Sequence, residues 1–319
     1  SAQSIPGSPG SLPFMWTEFN KTIIMVNGSA PLKWNRASAW EVWSATASAG
    51  NINHFWGINK FKNRLIGWEQ QDSKFWYGST DQVLGTFNSF DLSGIIRGNL
   101  KFHANMTRDG GDGPDDYAVF VSDQGDAAVY AGTDPADANA WSLVGVYQIG
   151  KPLSRSSFTN HGSQLVVLCE DDFYFLPQDF AGKRQSTHAA DKRKADREPY
   201  DTINGVYWKK ENLVAFSEGS VLSGKSGLGY TTLTLSSASP FQARTLNTLA
   251  PYANNSPRSI LAVYKGDIYC APANTTSVNA TVVHLYPNAQ TARDTECRIR
   301  TAPIPTSGRT NISLVNPVF

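Results

Sequence analysis

Short apolar runs of four to seven residues, broken repeatedly by two-residue turns, constrain this chain more than any other feature. Asn27-Gly28, Lys62-Asn63, Gln124-Gly125, His161-Gly162, Glu211-Asn212 and Gly266-Asp267 each separate two such runs. Asn and Gly tolerate the positive φ that tight hairpin turns demand, whereas an amphipathic helix needs apolar positions three and four apart over several turns. Helical periodicity is scarce here, so the runs read as strands. RLIGW, QLVVL, NLVAF and DIYCA each follow a turn, and in a strand their successive side chains point to opposite faces.

The six turns lie 35 to 62 residues apart. Such gaps suit sheets of three or four strands with variable loops, whereas a β-sandwich turns more often and more evenly. The expected fold is all-β, an irregular β-propeller of short antiparallel meander blades forming a single domain over residues 1–319. Two parts stand apart within it: a polar, basic excursion at 178–200 and a β-rich C-terminal part at 240–319.

A chain of 319 residues is long enough to bury a large core. Its net charge of +1 excludes a global attraction to nucleic acid or anionic membrane, though not a channel through which DNA passes without being gripped. Cys169, Cys270 and Cys297 have no CxxC spacing; reduced core thiols are the first reading and a Cys270–Cys297 bridge the alternative. No apolar run approaches 18 residues, and the opening SAQSIPGSPG has neither a charged segment nor an apolar core. Neither a membrane anchor nor a targeting address is expected.

The stretch from Arg108 to Pro152, RDGGDGPDDYAVFVSDQGDAAVYAGTDPADANAWSLVGVYQIGKP, carries the most detail. A Gly/Asp loop leads into a strand over Tyr117 to Val121, and a turn at Asp123-Gln124-Gly125-Asp126 into a second ending at Tyr130. Beyond an Asp-Pro loop a third strand spans Trp141 to Ile149. GGDGPDDYAVFV, Gly132-Thr133-Asp134-Pro135, Ala140 to Gly145 and Gly150-Lys151-Pro152 together resemble the β-propeller tail proteins of short-tailed bacteriophages. MVNGSAPLKWN (Met25 to Asn35), KNRLIGWEQQDSKFWYGS (Lys62 to Ser79) and HGSQLVVLCEDDFYFLP (His161 to Pro177) extend the resemblance over roughly residues 14 to 180. Family members carry a longer N-terminal region, and the C-terminal third of this sequence does not resemble them. The resemblance implies a tail nozzle or tail-tube component of the virion. Its copies would form a ring, hexameric by resemblance, beneath the adaptor and portal, with viral DNA passing along the axis.

Residues that could carry chemistry are few. Gly219 to Ser226 matches the G-x-x-x-x-G-K-S phosphate loop, but a helix must begin at the Lys for its amides to meet phosphate. Gly227-Leu228-Gly229 and a β-favouring alternation follow instead, so the match is a decoy. Asp109, Asp112, Asp115 and Asp116 are the one candidate calcium cluster. A calcium β-roll needs tandem copies and only one is present, so the alternative is a tight inter-blade loop whose Asp side chains cap amides. His54, His103, His161, His188 and His284 lack metal-ligand spacing, and no Gly-x-Ser-x-Gly elbow occurs. Asp72, Asp91, Asp123 and Glu170 read as turn acids, and no catalytic residue or cofactor is expected. Seven Asn-x-Ser/Thr sequons, at Asn20, Asn27, Asn105, Asn254, Asn274, Asn279 and Asn311, read as polar turns in a phage protein.

Two features carry both a bland and a functional reading. Trp34, Trp40, Trp43, Trp56, Trp68 and Trp76 crowd the first quarter, either packed between blades or forming a sugar-stacking platform. Lys183, Arg184, Lys192, Arg193, Lys194 and Arg197 lie in the excursion among Asp179, Asp191, Asp196 and Glu198. They form either a solvated loop or an arm docking on a neighbouring subunit or facing a DNA channel. The expected function is a non-enzymatic tail component, with the Asp109 to Asp116 loop, the Asp134-Pro135 loop and the Lys183 to Arg197 segment as interface or channel loops. The alternative is a receptor-binding propeller that binds or cleaves glycans.

Overall fold

A computed structural model describes residues 14–29, 31–37, 39–109, 114–177, 180, 183–185, 203–218, 228–234, 242–248, 259–272, 283–285 and 295–297. Among these residues six sheets follow one another along the chain. The first holds β1 (Met15–Phe19), β2 (Thr22–Val26), β3 (Leu32–Trp34) and β4 (Glu41–Val42), paired antiparallel in that order. β5 (Thr46–Ala47) begins the second, followed by β6 (Phe55–Phe61), β7 (Arg64–Glu69), β8 (Lys74–Tyr77) and β9 (Thr86–Asp91). β6 to β9 form an antiparallel meander, and β5 lies parallel to β9 on its outer edge. The third sheet is β10 (Leu100–Asp109), β11 (Pro114–Ser122), β12 (Asp126–Gly132) and β13 (Trp141–Gln148).

The fourth sheet is β14 (Phe158–His161), β15 (Gln164–Leu168), β16 (Phe173–Leu176) and β17 (Lys183–Gln185). The fifth is β18 (Gly205–Trp208), β19 (Leu213–Glu218), β20 (Leu228–Thr234) and β21 (Gln242–Thr248). β22 (Ser259–Tyr264), β23 (Asp267–Pro272) and β24 (Val283–Leu285) form the sixth, after which β25 (Thr295–Cys297) returns to pair with β21. Helix is confined, among the described residues, to single 3-10 turns at Ile52–His54 and Lys209–Glu211.

The sheets meet in sequence order, through their inner opening strands or, at the fourth sheet, the strand beside it. β1 lies against β6, β6 against β10, β10 against β15, β14 against β18, and β18 against β22. Consecutive meanders whose first strands run side by side are the blades of a β-propeller. Each internal blade is therefore covered on both faces, which explains runs that are apolar throughout. On β15, Leu165 and Val167 face one core with the second and third sheets, while Val166 and Leu168 face another with the fifth. On β7, Ile66 and Trp68 face the third sheet while Leu65 faces the first.

Every turn expected from the sequence joins two strands, but three expectations change. The meander after Arg108 has a further strand, β10, before the three expected. The Asp-rich segment is consequently the hairpin between β10 and β11 of one blade, with Asp109 opposite Pro114, and not a loop between blades. Lys183 and Arg184, placed in the excursion by the sequence, form β17 opposite Phe175 and Tyr174. The backbone pairing left open beside β16 is what makes a strand of them.

Candidate functional site

Of the loops singled out by the sequence, the one at Asp134-Pro135 serves as a joint between blades. Between β12 and β13, Asp134 forms an ion pair of 2.9 Å with Arg64 of β7, in the preceding blade. The same guanidinium donates to the Thr133 carbonyl at 3.2 Å and to the Gly78 carbonyl at 3.1 Å. Asp134 also accepts the Ala136 amide at 3.1 Å, the Asx turn that Asp-Pro loops favour, while Pro135 is buried. Asp134 and the Thr133 carbonyl, through Arg64, thus tie the second blade to the third within one chain. Burial beside Asp134 pushes the nearby Tyr77 hydroxyl above its usual pKa.

Asparagines tie the inner strands together. Asn59 of β6 donates to the His103 carbonyl of β10 at 3.2 Å, and Asn105 of β10 donates back to the Lys60 carbonyl at 2.7 Å. Asn160 of β14 donates to the Asn105 carbonyl at 2.8 Å. No backbone ladder joins β6, β10 and β14, and an amide side chain spans each gap. The sequence reading missed this use of Asn59, Asn105 and Asn160; their shared place on the opening strand of successive blades was the available signal.

The turn acids satisfy backbone and cationic donors. Asp126 accepts from the Arg97 amide at 2.7 Å and from its guanidinium at 2.9 and 2.6 Å, and these bonds hold its carboxyl below the usual range. Asp123 accepts the Asn99 amide at 3.2 Å, Asp72 the Lys74 amide at 3.0 Å and Asp91 the Ser93 amide at 2.8 Å. The bonds from Ser93 likewise hold Asp91 low. Glu69 behaves oppositely: burial at the end of β7 raises its pKa against the opposing pull of the Asn51 amide and His54.

In the calcium candidate, Asp116 accepts from the Thr107 hydroxyl at 2.8 Å across the β10–β11 hairpin, while Asp109 and Asp115 lie on its two strands. Asp112 lies outside the described residues, as do Lys192, Arg193, Lys194, Arg197 and the phosphate-loop match at 219–226. Among the described residues no three His, Cys, Asp or Glu side chains converge to hold a metal ion, and no helix is long and apolar enough to cross a membrane. Cys169 is buried and its thiol donates to the Gly150 carbonyl at 3.1 Å; Cys270 is on β23 of the sixth sheet and Cys297 on β25 of the fifth.

The tryptophans divide. Trp43, Trp56, Trp68 and Trp76 are buried between blades. The indole nitrogens of three of them find carbonyls: Val83 for Trp43 at 2.8 Å, Lys101 for Trp68 at 3.0 Å and Ala49 for Trp76 at 2.6 Å. Trp56 carries the Arg155 guanidinium 4.9 Å above its ring, and Arg155 also donates to its carbonyl. Trp34 and Trp40 stack at 5.5 Å and are half-buried, while Trp16, which the sequence reading did not single out, is 62% exposed.

One surface departs from ordinary blade design. β13 is the outer strand of the third sheet, yet Leu143, Val144 and Val146 are 44%, 42% and 43% exposed. The register places Val129 opposite Gly145 and Tyr130 opposite Leu143, so Val144 is a bulge residue and is thrown outward with its neighbour. No charged residue interrupts Trp141 to Gly150. Outer strands of soluble proteins are ordinarily guarded by charge, and this one is guarded only by its bulge.

No protein family matches the sequence, and no curated protein matches it. Among solved structures the chain is similar to the WD40 domain of SCAP from fission yeast, at 10% identity and a TM-score of 0.45 over 87% of each chain. It is also similar to a lectin from Aleuria aurantia in complex with Fucα1-6GlcNAc, at 8% identity and a TM-score of 0.37 over 86% of this chain and 94% of that one. These similarities assign the chain to no family and bring it no ligand.

Proposed function

We propose that the protein is a non-enzymatic structural subunit of a short-tailed phage tail, in which the propeller is a rigid block packed against neighbouring copies. The observation that carries this reading is the uncharged, apolar outer strand β13, with Leu143, Val144 and Val146 facing outward. An exposed apolar strand is a liability in a free monomer and an asset in an assembly. The tail-protein wording of residues 14 to 180 supplies the setting: a virion ring, hexameric by resemblance, that meets the adaptor and lets DNA pass. Near-neutral charge suits such a channel, because counterion release on a basic surface would hold the DNA back. Light scattering on the purified chain tests the packing. Wild type is expected to self-associate at high concentration, and a Val144→Lys, Val146→Glu variant to stay monomeric with an unchanged melting temperature. A wild-type monomer, or a variant that associates equally well, contradicts the reading.

Glycan binding is the second reading, and one observation favours it. Trp16 is exposed on the first sheet, whose β3–β4 segment also holds the stacked Trp34–Trp40 pair. Indole faces stack on sugar rings, and charged residues stand nearby in the Arg36–Glu18 and Lys33–Glu41 pairs. Quenching of tryptophan fluorescence by host-surface saccharides, abolished in Trp16→Ala, would favour this reading over the first.

A further inference from the structure

Two blades of this protein meet around a buried histidine. His103 lies on β10, the opening strand of the third sheet, and is 0% exposed. The Phe61 ring of β6 stands edge-on to its imidazole at 6.2 Å, and the Phe120 ring of β11 lies 4.9 Å away. Among the described residues neither ring nitrogen meets a hydrogen-bond partner. Its backbone carbonyl, by contrast, accepts the Asn59 bond that joins the second blade to the third.

The titratable and charged groups around this seam leave the imidazole alone. The β6 end and its turn bring Lys60, which is exposed, and Lys62, whose ammonium lies 5.4 Å from the Phe61 centroid. Arg64 of β7 is committed to Asp134. β8 brings Tyr77 and β12 brings Tyr130, whose hydroxyl burial pushes up to about 12. On β11, Asp116 is held by Thr107 and the Tyr117 ring packs on Phe180.

A neutral imidazole without partners already costs the seam some stability, and an imidazolium there would cost far more, because no carboxylate or carbonyl receives its protons. We propose that His103 makes the junction of the second and third blades the acid-labile joint of the protein, opening under mild acid before the other junctions. Opening hydrates the ring and lets it take a proton at an ordinary histidine pKa of about 6.5. Burial holds the closed-state pKa down at about 3. The His103 contribution to closure is therefore complete above pH ~6.5, is lost as the pH falls from there toward 3, and changes no further once the closed form also protonates. Between pH 7 and 4.5 the opening constant rises on the order of 10²-fold.

Hydrogen exchange on the full-length chain tests this, with rates corrected for intrinsic exchange at each pH. Amides of β6, β10 and β11 are expected to lose protection on the order of 10²-fold more than those of β15 and β16 between pH 7 and 4.5. His103→Phe, which fills the aromatic cage with a ring that cannot titrate, should remove that excess, and His103→Gln should do so even if it is less stable throughout. Uniform loosening of all blades in wild type overturns the proposal, as does an unchanged excess in either variant. Assembly state is not read here, so this outcome is independent of the tail-subunit reading.

Discussion

Asp126 shows how single residues in this protein reach beyond their own turn. Its sequence position, directly after Gln124-Gly125, reads as a turn acid, and it does begin a strand. Its energetic role lies with Arg97, which supplies three bonds from the loop before the third sheet. No local pattern could reveal a partner 29 residues earlier; the same holds for Arg64 and Asp134, 70 residues apart in number and joined only by packing of two blades. Asp126→Asn is expected to lower stability by about 1–3 kcal/mol at neutral pH, the usual scale for losing charge-assisted bonds at a buried site. Because those bonds depress the folded-state pKa, their contribution is present above the ordinary carboxylate range and vanishes as the pH falls through the depressed value. Urea melts of both proteins at pH 7 and at pH 2 check this: the gap between them should narrow in acid.

Among elements, β10 was the hardest to see. Phe102, Ala104 and Met106 are buried at alternate positions, a regular strand signal. The intervening residues obscure it, since Lys101, His103, Asn105 and Thr107 look like a solvent face, although His103 is buried and Asn105 bonds to a neighbouring blade. The tight hairpins were legible because Gly and Asn at turns declare themselves locally. Tight packing within the second blade leaves a quieter signal in Gly57. A Cβ there would overlap the Trp68 indole of the paired strand β7, so only hydrogen lets the ring lie flat across β6. Gly57→Ala should cost about 1–3 kcal/mol in thermal or denaturant melts. Gly94→Ala, where nothing lies within 4 Å of the added carbon, should stay within about 0.5 kcal/mol of wild type. Equal effects at the two sites would mean the second blade is packed more loosely than described.

At the scale of the molecule, the propeller was legible because each of the six turns falls inside a meander of its own, so each gap between turns measures one blade. What could not be read was how the chain passes between blades. β5, two residues long, runs beside β9 before its own blade has begun, and β25 turns back to β21 of the fifth sheet after the sixth is made. Pairings that short and that distant in sequence are decided by which edge is vacant. The aromatic content was also ambiguous in sequence and separates only in space, into indoles that cement blades and, on the first sheet, an exposed Trp16 beside a half-buried Trp34–Trp40 stack. The outward apolar strand β13 then becomes the feature that the fold itself does not use. Cryo-electron microscopy of the native assembly containing this protein tests that claim most directly. The account predicts a ring of copies on the particle axis with Leu143, Val144 and Val146 buried against a neighbour and an open channel. Isolated peripheral copies with β13 in solvent and the Trp16 face turned toward a receptor would contradict it.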